Sequence, residues 1–172
     1  MAKLRIELQD AGVKAKLAAL TAATEDLQPA YATVGRVLVN RIRLCFKLSI
    51  DPWGNPWQAL KFRKGQPLRD TGRLNRSIVS KVDATGVTVG TNLIYAPVHQ
   101  FGATIVPKNK PRLVFPGPNG NLIFAKKVTI PARPFMPLRR DAETVALPPD
   151  WSARVESALR TYFRDAMNKG TQ

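Results

Sequence analysis

The chain has 172 residues and a hydrophobic fraction of 44%, enough for one domain with a real core, which argues against wholesale disorder. Its 27 Lys and Arg against 12 Asp and Glu give a formal net charge of +15, which favours anionic partners, although charge spread for solubility explains the same count. Cys45 is the only cysteine, so an internal disulfide is excluded, and no apolar stretch approaches ~20 residues. We therefore expect a soluble protein, without membrane contact, made in a reducing cytoplasm.

The N-terminal half predicts one strand and two helices. Apolar and charged residues alternate over residues 4–8, as in a half-buried strand, and Asp10 then offers an N-cap for a first helix. A second helix is expected to start at Thr24. Apolar residues recur every three or four positions over 27–45, which predicts a long amphipathic helix with its stripe in the core and Cys45 as a buried, inert thiol.

The middle of the chain carries strand signals. The prolines and glycine of residues 51–56 end the long helix. Strands are predicted over 77–82 and 87–91, with Thr85-Gly86 as the hairpin turn between them. A third strand is predicted over 93–98, at an edge or a strand end because it contains a proline.

Residues 102–134 form an unusual segment. It holds six of the 14 prolines and a turn signal at 117–120. Three short apolar runs flank that turn, at residues 113–115, 122–124 and 128–130. The pattern predicts an extended β-hairpin arm, with a long surface loop as the alternative; ordered excursions of this length are usually functional.

The C-terminal part predicts a final helix. Pro148 and Pro149 break the chain, Asp150 offers a cap, and apolar residues follow at helical spacing from Trp151 to Ala166. The whole order predicts one α+β domain, residues 1–172. In it, an antiparallel sheet packs against the long N-terminal-half helix and the C-terminal helix, with the arm projecting.

Catalytic and metal-binding patterns find no support. His99 is the only histidine, so common Cys/His zinc sites are excluded, and there is neither a Gly-x-Ser-x-Gly elbow nor a phosphate-binding loop. The acids Asp70, Asp83 and Asp141 show no spacing typical of paired carboxylates. We expect no enzyme activity, no cofactor and no metal; a small basic ribonuclease using His99 has only charge and size in its favour.

Nucleic-acid binding is a stronger alternative. Basic residues that lie close to Trp53, Trp57 and Phe62 could track phosphates beside stacked bases. They are Arg63, Lys64, Arg69, Arg73 and Arg76. The arm adds three more candidates for an interface, Lys108, Lys110 and Arg112. No established DNA- or RNA-binding pattern is present, so a solvated charged face explains these residues as well.

Four short motifs, taken together, resemble a known family. They are DPWGNPWQAL at 51–60, GQPLRDTGRLNRSI at 65–78, YAPVHQFG at 95–102 and RPFM at 133–136. In this order, within one short basic chain, they resemble the tail-completion and virion-morphogenesis proteins of tailed bacteriophages such as P2-like and Mu-like phages. The resemblance covers about residues 1–140.

The resemblance implies a structural protein of the phage neck or tail end, located in the virion and made in the bacterial cytoplasm. Such a protein would complete the tail and enable head–tail joining as a subunit of a ring, commonly six-fold. Its implied partners are further copies of itself, the tail tube protein and a head-side connector or stopper protein, with non-specific contact to genomic DNA as a further possibility. A head-assembly factor that acts only during morphogenesis is the alternative within this class.

The resemblance also marks motif residues for structural roles. They are Trp53, Gly54, Trp57, Leu68, Thr71, Gly72, Leu74, Ser77, Tyr95, His99, Gln100, Gly102, Arg133, Pro134 and Phe135. Glycines of the first two motifs are expected at turns that need unusual backbone angles, and the leucines at apolar anchors beside the second turn. Tyr95, His99 and Gln100 are expected to hold a strand end by hydrogen bonds, with His99 a satisfied structural histidine. Arg133 is expected to reach a carboxylate, within the fold or across a ring interface.

Overall fold

The computed structural model describes residues 11–61, 64–117, 120–138 and 146–169. The helices are α1 (Ala11–Glu25), α2 (Gln28–Leu48), α3 (Arg73–Arg76), α4 (Ala96–Phe101) and α5 (Pro149–Lys169). The strands are β1 (Val79–Asp83), β2 (Gly86–Gly90), β3 (Ala103–Ile105), β4 (Leu113–Pro116), β5 (Leu122–Ala125) and β6 (Val128–Ile130). The predicted strand over 4–8 and the predicted cap at Asp10 lie outside the described residues.

Helix α2 is the centre of the fold, and the prediction of a long amphipathic helix is confirmed. One face is buried, namely Ala30, Gly35, Val39, Ile42, Cys45 and Phe46. The helix ends at Ser49, which adopts a left-handed conformation with φ 57° and whose backbone N–H bonds back to Cys45. It begins at Gln28 rather than Thr24, because α1 continues to Glu25 and the Asp26 carboxylate accepts the Gln28 amide at 2.9 Å.

The β1–β2 hairpin packs across α2 at a point of very close approach. A Cβ at Gly35 would lie 2.9 Å from side-chain atoms of Ser80 and Val87, so only glycine fits between helix and hairpin. The hairpin turn lies one residue earlier than the predicted Thr85-Gly86, because Asp83 pairs with Gly86 and the strands are connected by Ala84 and Thr85. There the Asp83 carboxylate accepts the Thr85 hydroxyl and the backbone amides of Thr85 and Gly86, and these hydrogen bonds lower the pKa of Asp83.

The third strand predicted over 93–98 is wrong, because this stretch contains a turn at residues 94–95 and then the first three residues of α4. Pro97 falls in the first turn of α4, where the missing N–H has no intrahelical partner to lose. The helix ends at Gly102, with φ 70°, where a Cβ would lie 2.9 Å from the Ala132 nitrogen. This close contact between Gly102 and Ala132 lies at the base of the arm.

The arm is an extended hairpin, as predicted, built from two antiparallel ladders in series. At its base β3 pairs with β6, with Ala103 opposite Ile130. Further out β4 pairs with β5, with Leu113 opposite Ala125. Between the ladders residues 106–112 lie on one side and 126–127 on the other, so the connection on the β4 side is the longer one. The described strands thus form three two-stranded antiparallel ladders, and the α+β class is confirmed.

Helix α5 packs on α2 and α1 and closes the core. Trp151, 1% exposed, is among the largest fully buried side chains of the described residues. Arg41 of α2 bonds to the Asp150 carboxylate and lies 5.9 Å from the Trp151 ring centre, which fixes the start of α5 against α2. Among the described helices none has the length and apolar character needed to cross a membrane.

Candidate functional site

Three of the four motifs meet in one buried junction. The Trp57 indole N–H donates to the Pro134 carbonyl at 2.8 Å, and the Phe46 ring contacts both Trp57, edge-on, and Phe135. Gln100, 4% exposed, accepts the amides of Phe135 and Met136 and donates to the Met136 carbonyl. This arrangement ties the segment after the arm to α4 and to the loop after α2.

Arg133 belongs to the same junction and is buried at 6% exposure. Its guanidinium donates to the backbone carbonyls of Gln58 at 2.9 Å and Ala59 at 3.3 Å, and its amide donates to the His99 carbonyl at 2.7 Å. These charge-assisted hydrogen bonds to carbonyl acceptors stabilise the buried guanidinium. The expected carboxylate contact of Arg133 stays a prediction.

The second motif and part of the third line a cavity of 320 Å³. Its lining residues are Leu68, Asp70, Thr71, Gly72, Arg73, Leu74, Tyr95 and His99. The turn above it is held by two left-handed residues, Leu68 with φ 57° and Gly72 with φ 73°. Leu74 is buried, and the Ser77 hydroxyl closes the short helix by donating to the Leu74 carbonyl at 2.7 Å. The expected anchoring of this turn against the sheet stays a prediction.

Tyr95 and His99 lie at the start and within α4, not at a strand end as expected. Their rings meet edge-on at 5.8 Å. The His99 Nδ1 is buried and finds no hydrogen-bond partner among the described residues, so the expectation of a satisfied histidine is not met. Burial first, and the nearby Arg133 second, lower the pKa of His99.

Trp53 and Gly54 lie at a different place, a cleft between the turn after α2 and the start of α5. The Asp51 carboxylate organises this turn by accepting the amides of Trp53 and Asn55, and Gly54 has φ 91°. The cleft has a volume of 360 Å³. Its walls are mainly apolar, and its lining residues are Arg41, Leu44, Cys45, Ile50, Asp51, Pro52, Trp53, Gly54, Pro148, Pro149, Asp150 and Trp151.

The predicted basic interface residues fall in two separate regions. Arg73 lines the cavity beside His99, and exposed Arg69 and Arg76 lie near it in the chain. Exposed Lys64 precedes this group, and Arg63 lies outside the described residues. The arm trio Lys108, Lys110 and Arg112 is exposed at the joint between the two ladders.

An exposed apolar face on the outer ladder was not singled out from the sequence. Val114, Leu122 and Phe124 are 51%, 60% and 58% exposed. The alternating pattern of β4 and β5 was visible as short apolar runs, but only the pairing shows which residues share a face.

Cys45 is buried as predicted, and burial raises the pKa of its thiol to about 12. No cluster of three or more metal-ligating side chains of the His, Cys, Asp or Glu type occurs among the described residues.

The sequence of the chain is similar to proteins of one known family. Residues 8–147 match the phage virion morphogenesis family. The chain is 33% identical over 162 residues to the Mu-like prophage FluMu G protein 2 of Haemophilus influenzae, covering 94% of this chain and 96% of the relative. No solved structure matches significantly. The chain therefore belongs to the phage virion morphogenesis family.

Proposed function

We propose that this protein is a structural, non-enzymatic subunit of the phage neck or tail end, which forms a closed ring, completes the tail and enables head–tail joining. The family match carries the proposal, because it covers residues 8–147 and thus includes α1, α2 and the whole arm. The structure supports it in one respect. Five of the fifteen motif residues are buried in the body, while large apolar and basic side chains remain exposed on the arm, where contacts with other subunits would form. The five are Trp57, Leu74, Gln100, Arg133 and Phe135.

The proposed partners are further copies of the chain, commonly six, together with the tail tube protein and a head-side connector or stopper protein. Interfaces of this kind are built around apolar and Arg-rich contacts at their centre. The exposed apolar side chains of β4 and β5 can make the apolar contacts, and the basic side chains at the joint of the arm can make the charged ones.

The test is electron microscopy of particles from a phage that carries this gene and from its deletion mutant. We expect the mutant to yield DNA-filled heads and unattached tails, and a plasmid copy of the gene to restore joined virions. Joined virions from the mutant would refute the proposal. Protein detected in purified virions would exclude the alternative of a morphogenesis factor that leaves the particle.

A second candidate function, non-specific binding to the genome, is favoured by one observation. Residues 102–134 contain no acid and six Lys or Arg, and all of these except the buried Arg133 are exposed, so the arm presents unbalanced positive charge. Such binding would weaken steeply with salt, log K falling by roughly 0.9 per phosphate contact per tenfold rise in salt concentration. Fluorescence anisotropy with a labelled duplex at several salt concentrations tests it, and binding absent near physiological salt would exclude it.

A further inference from the structure

The arm concentrates positive charge at the joint between its two ladders. The joint consists of residues 106–112 on the β4 side and residues 126–127 on the other side. Five of its nine residues are Lys or Arg, and all five are exposed. They are Lys108, Lys110, Arg112, Lys126 and Lys127. Because strand pairing fixes both sides of the joint at each end, these cations are held together in one short stretch of the hairpin.

These cations have no carboxylate to neutralise them. On helix α5, Arg154, Arg160 and Arg164 each lie within 4.0 Å of a carboxylate oxygen. Residues 102–134, in contrast, contain no acid. Within the part of the chain that the structure describes, no ion pair involves a cation of the joint. Like charges held this close repel one another, so an anionic partner would stabilise the joint.

The longer side of the joint presents its cations on a shaped surface. Pro107 and Pro111 fix φ near −65°, which limits the conformations of this segment. A concavity of 260 Å³ is lined in part by the three cations of this side and by Asn109. Ammonium, guanidinium and amide groups all donate hydrogen bonds, so the concavity suits the oxygen atoms of an anion.

The composition of the joint favours phosphates over an acidic protein surface. Four of its five cations are lysines, and lysine is depleted at protein–protein interfaces, where arginine is enriched. Contacts to a nucleic-acid backbone come from lysine and arginine alike. None of the nine joint residues is aromatic, whereas proteins that hold single strands stack the bases on aromatic rings. The joint therefore fits a duplex, whose bases are already stacked on one another.

We propose that the joint of the arm binds the sugar-phosphate backbone of duplex DNA without reading its sequence. The five cations lie on two segments that face each other across the hairpin, so several neighbouring phosphates can be contacted at once. Each neutralised phosphate releases counterions, which makes the affinity depend on salt. The inference rests on the second candidate function, binding to the genome, and names its site and the form of nucleic acid. The proposed ring does not depend on it.

The salt dependence of duplex binding tests the site. The joint variant is Lys108→Gln/Lys110→Gln/Arg112→Gln, measured by fluorescence anisotropy with a labelled duplex. Loss of three phosphate contacts should lower the slope of log K against log salt by about 2.7, so the ratio of the affinities at about 50 and about 200 mM salt shrinks by about 40-fold.

The matched control removes the same charge from the body of the protein. Lys47→Gln/Lys61→Gln/Lys81→Gln changes three exposed lysines and should keep the wild-type slope. A change of slope below about 1 in the joint variant, or an equal change in the control, overturns the site.

Two further variants separate lost charge from disturbed folding. Lys126→Gln/Lys127→Gln, on the short side of the joint, should lower the slope by about 1.8. Lys108→Arg/Lys110→Arg keeps the charge and should keep the wild-type slope, because arginine also contacts phosphates. Circular dichroism should be unchanged in each variant, since the replaced side chains are exposed. Binding lost in the arginine variant would contradict a charge contact and overturn the proposal.

The class of partner is decided with two other labelled probes, a single strand of the same sequence and a polyglutamate peptide. We expect the duplex to bind more tightly than either probe. Tighter binding of the single strand or of the acidic peptide overturns the duplex assignment in favour of that partner. A wild-type chain that binds no duplex near physiological salt refutes genome binding and the site together. Duplex binding that is unchanged in the joint variant refutes only the site.

Discussion

Replacing Gln100 by methionine should destabilise the protein strongly, because its side chain satisfies four backbone groups at the motif junction. The amide oxygen accepts the Phe135 and Met136 amides at 3.0 and 3.1 Å, and the nitrogen donates to the carbonyls of Met136 and Leu138 at 2.8 and 3.2 Å. Methionine keeps the length and apolar volume of the side chain but makes none of these bonds.

The magnitude follows from the number of buried groups left without a partner. Each buried, unsatisfied amide costs about 1–3 kcal/mol, so the two amides alone amount to about 2–6 kcal/mol. We expect a loss of about 3 kcal/mol, since Leu138, whose carbonyl accepts one of the four bonds, is 44% exposed and can relax towards water. Urea unfolding at one low protein concentration, followed by tryptophan fluorescence, measures the free energy of unfolding.

The matched control is Gln58→Met, because the Gln58 side chain is exposed and only its backbone carbonyl serves the junction. We expect a change within about 0.5 kcal/mol for this control. A loss below about 1 kcal/mol in Gln100→Met would refute the reasoning that this side chain holds the segment after the arm.

Three further predictions concern buried positions. Gly35→Ala should cost about 1–3 kcal/mol by overpacking α2 against β1 and β2, whereas Gly90→Ala, with open space around the added carbon, should be nearly neutral in the same urea assay. The Cys45 thiol, with its pKa raised to about 12 by burial, should resist iodoacetamide at pH 8 in the folded protein and react once urea unfolds it; rapid native labelling would contradict its burial. Because the pKa of His99 is lowered on folding, protonation favours the unfolded state, so stability should fall as pH drops below about 6.5. His99→Gln should flatten that decline between pH 7 and pH 5, and an unchanged slope would refute the assignment.

Local chemistry in the sequence was enough for several elements. The stripe of α2, the β1–β2 hairpin (to within one residue at its turn) and the hairpin arm depend on periodicity and turn residues, which act over a few positions. The stretch around Pro97 was read wrongly because a proline near a short apolar run suits a strand end and a first helical turn equally well. Packing of α4 against the segment after the arm decided between them.

The family and its motifs could also be identified from the sequence, since short residue patterns can be compared without knowledge of the fold. What only the tertiary structure decided was how the motifs are distributed. Trp57, Gln100 and Arg133, far apart in the chain, meet through backbone hydrogen bonds that no spacing rule anticipates. The exposed face of β4 and β5 likewise follows from strand register and from which side the body leaves uncovered, because a side chain's burial depends on long-range contacts rather than on its neighbours in sequence.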